Sequence, residues 1–140
     1  MVFPRELRLL VFFTALAAGT FAHTLILTPS TTLLNSAGGA VTFTAAISYP
    51  SPASTLGFSL TLPTGWSYLS GTTVAGTLPA EPAIAPSAGR TGLLEWAFIN
   101  PPIGTATFTF TTAYAAGTSG AQSVTPSLLL RTSTGTPPTT

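Results

Sequence analysis

From Thr24 onward, apolar and hydroxyl-bearing side chains alternate, and this period of two constrains the fold more than any other feature of the chain. In the clearest stretch, apolar residues at every second position from Val41 to Tyr49 alternate with threonine, alanine and serine. Successive side chains of a β-strand point to opposite faces, whereas a helix repeats every 3.6 residues. The pattern therefore predicts strands with one apolar and one polar face, as in two packed sheets.

The same alternation recurs along the chain between glycine and proline interruptions. It predicts an all-β, immunoglobulin-like antiparallel β-sandwich of about seven strands, with no helix of normal length. Residues 71–92 are predicted to form a long loop with at most one short strand around Thr72–Val74. Pro126 cannot donate to a ladder and is expected at an edge or a bulge. The predicted strands lie at 24–28, 33–34, 41–49, 56–62, 66–70, 94–98, 105–111 and 124–130.

The apolar positions of these strands also predict the core. Large residues at alternate positions of a sandwich strand face the opposing sheet, and hydroxyl residues between them face water. The expected core contains Val41, Phe43, Ile47, Phe58, Leu60, Leu94, Trp96, Phe98, Phe108, Phe110 and Leu128.

Residues 1–22 have the layout of a secretory signal peptide. Arg5 and Arg8 form a short basic region, an apolar run follows, and small residues lead to a predicted cleavage point after Ala22. Cleavage after Gly19 is a second option. An uncleaved anchor helix is disfavoured, because the apolar run is shorter than the roughly 20 residues that a membrane span needs.

The rest of the chain divides into a domain and a tail. We expect a β-sandwich domain at 23–131, and a Thr/Pro-rich tail or linker at 132–140, where apolar periodicity ends. A frayed terminus is the alternative interpretation of the tail. The chain has no cysteine, so packing and sheet hydrogen bonds must stabilise the domain without disulfides.

Few charges remain after the predicted signal peptide. The sequence contains neither aspartate nor lysine, and beyond residue 22 its charged residues are Glu81, Arg90, Glu95 and Arg131. A formally neutral domain has no electrostatic footprint for nucleic acid or anionic lipid. It also has little charge repulsion between copies, which favours association.

The usual catalytic groups and metal ligands are scarce. His23 is the only histidine, one residue past the predicted cleavage point, so a nucleophile would lack a base. Glu81 and Glu95 are the only carboxylates for a glycosidase-type pair, and the sequence gives no reason for them to meet. Calcium and zinc sites lack ligands. We therefore expect no catalytic residues, no cofactor and no metal.

Aromatic residues are the remaining candidates for recognition. Trp96 shares a strand face with apolar neighbours and is expected in the core, whereas Trp66 follows a turn at a strand start. Trp66 and Tyr68 could offer flat surfaces to a sugar ring or a protein, and we take them as the possible ligand or partner contacts. Core packing is the alternative for both.

Three segments resemble a known kind of module. The run Leu62-Pro-Thr-Gly-Trp66 with Tyr68-Leu-Ser-Gly71, then Leu94-Glu-Trp-Ala-Phe98 and the Thr-Phe-Thr repeat at 105–111, is similar to the immunoglobulin-like or cohesin-like β-sandwich modules repeated in bacterial secreted and surface proteins. The resemblance covers about residues 40–131. It implies a sandwich fold and no agreed catalytic residues.

Together these features predict a non-enzymatic extracellular structural or adhesive module, secreted or at the cell surface. The expected partners are copies of the chain or sister domains, bound through sheet edges and Thr-rich faces. The threonine strand at 105–112 would pair if it lay at an edge, and otherwise the strand at 24–28 is the better candidate. The alternative function is a carbohydrate-binding module using Trp66 and Tyr68. No nucleic-acid partner, and no stable membrane span after cleavage, is expected.

Overall fold

The computed structural model of the chain describes residues 9–11, 23–49, 53–76 and 81–131. The regular structure in these ranges is entirely β-strand, so the all-β prediction is confirmed. The strands are β1 (Leu9–Val11), β2 (Thr24–Pro29), β3 (Gly39–Tyr49), β4 (Thr55–Thr61), β5 (Trp66–Gly76), β6 (Leu93–Ile99), β7 (Gly104–Tyr114) and β8 (Gln122–Arg131).

Two sheets make up the domain. The first sheet has the order β2-β3-β7-β5, and the second has the order β8-β4-β6, with every neighbouring pair antiparallel. The short strand β1 adds to the second sheet alongside β8, in parallel. The large side chains between the two sheets form one core, so the fold is consistent with the predicted β-sandwich.

The order of strands differs from that of a constant immunoglobulin domain. Counting from β2, the first sheet joins the first, second, sixth and fourth strands, whereas the immunoglobulin sheet joins the first, second, fifth and fourth. After the β2–β3 hairpin, every connection in the chain crosses from one sheet to the other. Alternation within a strand predicts which face is buried but not which strand lies beside it.

The predicted core is present. Ten of the eleven expected side chains are at most 2% exposed, and Leu128 is partly buried against the same cluster. Aromatic rings fill the centre: Phe58 lies 4.8 Å from Phe108, and Trp96 lies 4.8 Å from Phe110, measured between ring centroids. Residues outside the expected list, among them Tyr49 and Tyr114, are buried as well.

Strand β5 is longer than the sequence indicated. The predicted strand at 66–70 continues through Thr72–Val74, where the sequence predicts at most one short strand within a loop, and ends at Gly76. Two register shifts against β7 interrupt the pairing, between Tyr68 and Ser70 and between Ser70 and Thr73. Such bulges break the period of two, which explains why alternation did not extend the strand.

The predicted strand at 33–34 is not among the strands.

Most of the predicted signal peptide lies outside the described residues. Its described part, β1, pairs in parallel with Gln122–Val124 of β8. The predicted tail at 132–140 also lies outside the described residues, so the two boundaries remain predictions.

Both ends of the sandwich domain lie at the same end of the sheets. Strand β2 starts at Thr24, opposite Ser48 near the end of β3. Strand β8 ends at Arg131, opposite Thr55 at the start of β4. Only the short connection after Tyr49 separates the end of β3 from the start of β4, so Thr24 and Arg131 are at one end.

Candidate association surfaces

The outer face of the first sheet is covered by hydroxyl groups. Across β3 and β7, Thr42 lies opposite Thr111, Thr44 opposite Thr109 and Ser48 opposite Thr105. The hydroxyls of Thr42 and Thr111 are 2.9 Å apart and form a hydrogen bond. Facing threonines of this kind stabilise adjacent strands. We call this surface the hydroxyl face, and none of the residues that form it is charged.

A shallow depression lies on the hydroxyl face next to β2. Small residues, Ala46 and Gly76, leave room for a volume of about 270 Å³. Its wall includes Ile26, whose side chain is 49% exposed on the outside of β2. The depression therefore combines hydroxyl groups with one large apolar side chain at the edge of the sheet.

The outer face of the second sheet is more apolar. Leu129 of β8, Gly57 of β4 and Ala97 of β6 lie side by side in one row, and Ile84 continues this row by a bridge to Ala97. Leu129 and Ile84 are both more than half exposed. They form the walls of a trough of about 210 Å³ over the two small residues.

The segment 81–92 closes one side of the sandwich. It bonds to the outer edge of β6, where Ala97 donates to the carbonyl of Ile84 at 3.0 Å. It also bonds to β5, where the N–H of Tyr68 donates to the carbonyl of Arg90 at 2.8 Å and the carbonyl of Tyr68 accepts from Gly89 at 2.7 Å. Exposed strand edges invite pairing with other chains, and here segment 81–92 already occupies part of each edge, at Tyr68 of β5 and at Ala97 of β6.

The opposite side is bounded by β2 and β8. In the described part of the chain, β2 pairs with β3 on one side only. Ser30 donates its N–H to the carbonyl of Thr42 at 2.7 Å. Because bonded positions alternate along an antiparallel pair, Ile26 directs its backbone groups toward β3, and Leu25 and Leu27 direct theirs away from it.

The edge of β8 has one feature that limits pairing in the exported domain. Pro126 lies in this strand, the outermost of the antiparallel strands in the second sheet, as its missing N–H predicts. Strand β1 lies alongside Gln122–Val124 and contacts β2, but it belongs to the predicted signal peptide, so cleavage would remove it.

The two predicted contact residues are in the interior. Trp66 is 0% exposed and packs on Tyr114 with ring centroids 5.1 Å apart. Tyr68 is 4% exposed and meets the edge of Trp96 at 5.8 Å. The two residues are two positions apart on β5, so they lie on the same face of the strand, which faces the opposing sheet. Protein atoms cover the ring faces that a sugar would need.

Trp66 has a further peculiarity. Among the described residues, its indole N–H is the only buried side-chain polar atom without a hydrogen-bond partner. Tyr114 is better satisfied, because its hydroxyl accepts the N–H of Asn35 at 2.8 Å. A buried donor without a partner costs about 1–3 kcal/mol, so Trp66 contributes through the volume of its ring.

The histidine and the carboxylates do not converge in the described ranges, although Arg90 and Glu95 line one depression beside segment 81–92. His23 lies just before β2, at the end of the domain. Glu95 lies on the outer face of β6 opposite Ser59. Because Ile84 bridges antiparallel to Ala97, the chain from Ile84 back to Glu81 runs away from Glu95. No group of three potential metal ligands occurs in these ranges.

No family model and no curated protein matches the chain. Over the described residues there is no helix with the length and apolar character to cross a membrane.

Proposed function

We propose that this chain is a non-enzymatic structural or adhesive module of a bacterial surface or secreted matrix. Its fold is consistent with a β-sandwich, as in the immunoglobulin-like or cohesin-like modules that the sequence resembles, although its strand order differs from that of a constant immunoglobulin domain. The observation that carries the proposal is the outer edge of β2, which has no strand beside it in the first sheet. This edge is uncharged, and the domain as a whole has very few charges. Such a domain associates through its sheets rather than through charge.

The alternative role in carbohydrate binding has less support. Stacking on a sugar needs an exposed aromatic face, and Trp66 and Tyr68 are buried. Catalysis is also disfavoured, since the described histidine and carboxylates lie apart from one another.

Export is the first premise of this function. We expect the exported protein to begin within about three residues of His23, because small residues follow the apolar run directly. Mass spectrometry of the protein secreted by a bacterial host gives the mass of the exported chain and therefore identifies its first residue. Recovery of the full-length chain in a membrane fraction would show instead that the segment is an anchor.

Association is the second premise. Light scattering of the exported protein at moderate salt should give an average mass that rises with concentration, because little charge repulsion opposes contact between copies. Ser70→Lys is the matched control, since Ser70 is exposed on β5, at the opposite edge of the first sheet from β2, and association through the β2 edge should survive it. A strictly monomeric protein up to millimolar concentration would favour a covalently tethered module instead.

A further inference from the structure

We infer that two copies of this chain pair through β2, so that the first sheets of both copies join into one continuous antiparallel sheet. This inference rests on the proposed function and specifies its surface and its partner. The strand at 105–112 cannot be that surface, because β7 is central, between β3 and β5.

The other edges are less suited to a second copy. Segment 81–92 bonds to both β5 and β6. Strand β8 contains Pro126, which has no N–H to donate. Strand β2 carries no charge, and its one proline, Pro29, is its last residue, whereas natural edge strands usually carry charges, proline or bulges along their length.

The backbone of β2 fits a copy of itself. Leu25 and Leu27 direct their N–H and C=O groups outward, as the bond from Ser30 to Thr42 requires. In an antiparallel pair centred on Ile26, Leu25 lies opposite Leu27 of the second copy, and the reverse pair forms by symmetry. The two pairs exchange hydrogen bonds in both directions, which is the self-complementary contact of a twofold dimer.

The side chain at the centre supports the same register. Ile26 lies on the outer face and is 49% exposed in the single chain. At the twofold axis it lies opposite Ile26 of the second copy in a non-hydrogen-bonded position, where side chains approach most closely. Pairing therefore buries the one large apolar side chain that β2 exposes.

Ile26→Lys tests this register. Two ammonium groups would then face each other across the axis, and like charges directly opposite destabilise a strand pair. We expect the dissociation constant of the exported dimer, measured by light scattering, to rise at least tenfold. Ile103→Lys is the matched control, because Ile103 is 50% exposed but lies outside β2, and its dissociation constant should stay unchanged.

Hydrogen exchange gives a second measurement that does not depend on a variant. The amides of Leu25 and Leu27 should be protected at high protein concentration and exchange faster on dilution, because only the second copy bonds to them. Association that persists in Ile26→Lys, with exchange at these amides independent of concentration, would overturn the β2 dimer and leave the proposed function standing. A monomer at every concentration would overturn the β2 dimer together with the association premise, and would leave a covalently tethered module.

Discussion

Replacing Phe108 by alanine is expected to lower the free energy of unfolding by about 3–5 kcal/mol, since truncating a buried aromatic removes its transfer energy and leaves a cavity. Phe108 is 0% exposed, and its ring lies 4.8 Å from Phe58, 5.8 Å from Trp96 and 6.0 Å from Phe98. These partners come from β4 and β6, so the residue joins the two sheets. Urea denaturation followed by tryptophan fluorescence measures the change.

The neighbouring Thr107 provides the control. It is exposed on the hydroxyl face, and Thr107→Ala should cost under about 1 kcal/mol. Phe108 and Thr107 are neighbours on β7, so the two variants differ mainly in whether the truncated side chain points into the core or to the outer face. Equal losses for the two variants would show that the faces of β7 are assigned the wrong way round.

Gly38→Ala is expected to have the second large effect. Gly38 lies in the β2–β3 connection at φ 86°, where an L side chain costs about 1–2 kcal/mol. A Cβ there would also lie 2.8 Å from the backbone nitrogen of Ala116 and 3.0 Å from the carbonyl oxygen of Tyr114. Moving that backbone adds about 1–3 kcal/mol, so we expect a total loss of about 2–5 kcal/mol in denaturant unfolding.

Gly120→Ala separates the two causes. Gly120 also has a positive φ, 76°, but a Cβ there would meet no atom within 4 Å. Its loss should therefore be limited to the backbone term of about 1–2 kcal/mol. If both variants lost the same amount, the close approach of Gly38 to the β7–β8 connection would carry no energy of its own.

The buried face of each strand could be predicted from the sequence. Successive side chains of a strand point to opposite faces, so the alternation of apolar and polar residues identifies the face that is buried. A shift by one residue would move every apolar side chain of a strand into water. This is why the buried faces of β3 and β7, in which threonine, serine or alanine alternates with larger apolar residues, agree with the prediction. The same argument predicted the burial of Trp96, which shares its face with Leu94 and Phe98.

Features that depend on neighbouring strands were beyond this reasoning. The position of β7 next to β3 results from pairing over long sequence distances, which alternation within one strand does not encode. The hydrogen bonds that Tyr68 accepts from Gly89 and donates to Arg90 involve a segment with no periodic pattern. The burial of Trp66 depends on the position of β5 in the sheet. One indication of it was present in the sequence, because Trp66 and Tyr68 are two residues apart and therefore share one face of the strand.

The placement of Thr24 and Arg131 at one end of the sandwich has a mechanical consequence. A pulling force applied through these two residues would act on β2 and β8 at their outer ends rather than along the length of a strand pair. The ladder between β2 and β3 would then open one hydrogen-bonded position at a time, beginning at Thr24 opposite Ser48. Opened in this order, the bonds never share the load. Under tension applied at these two points, the domain would unfold by sequential opening of the β2–β3 ladder, and it would do so at low force.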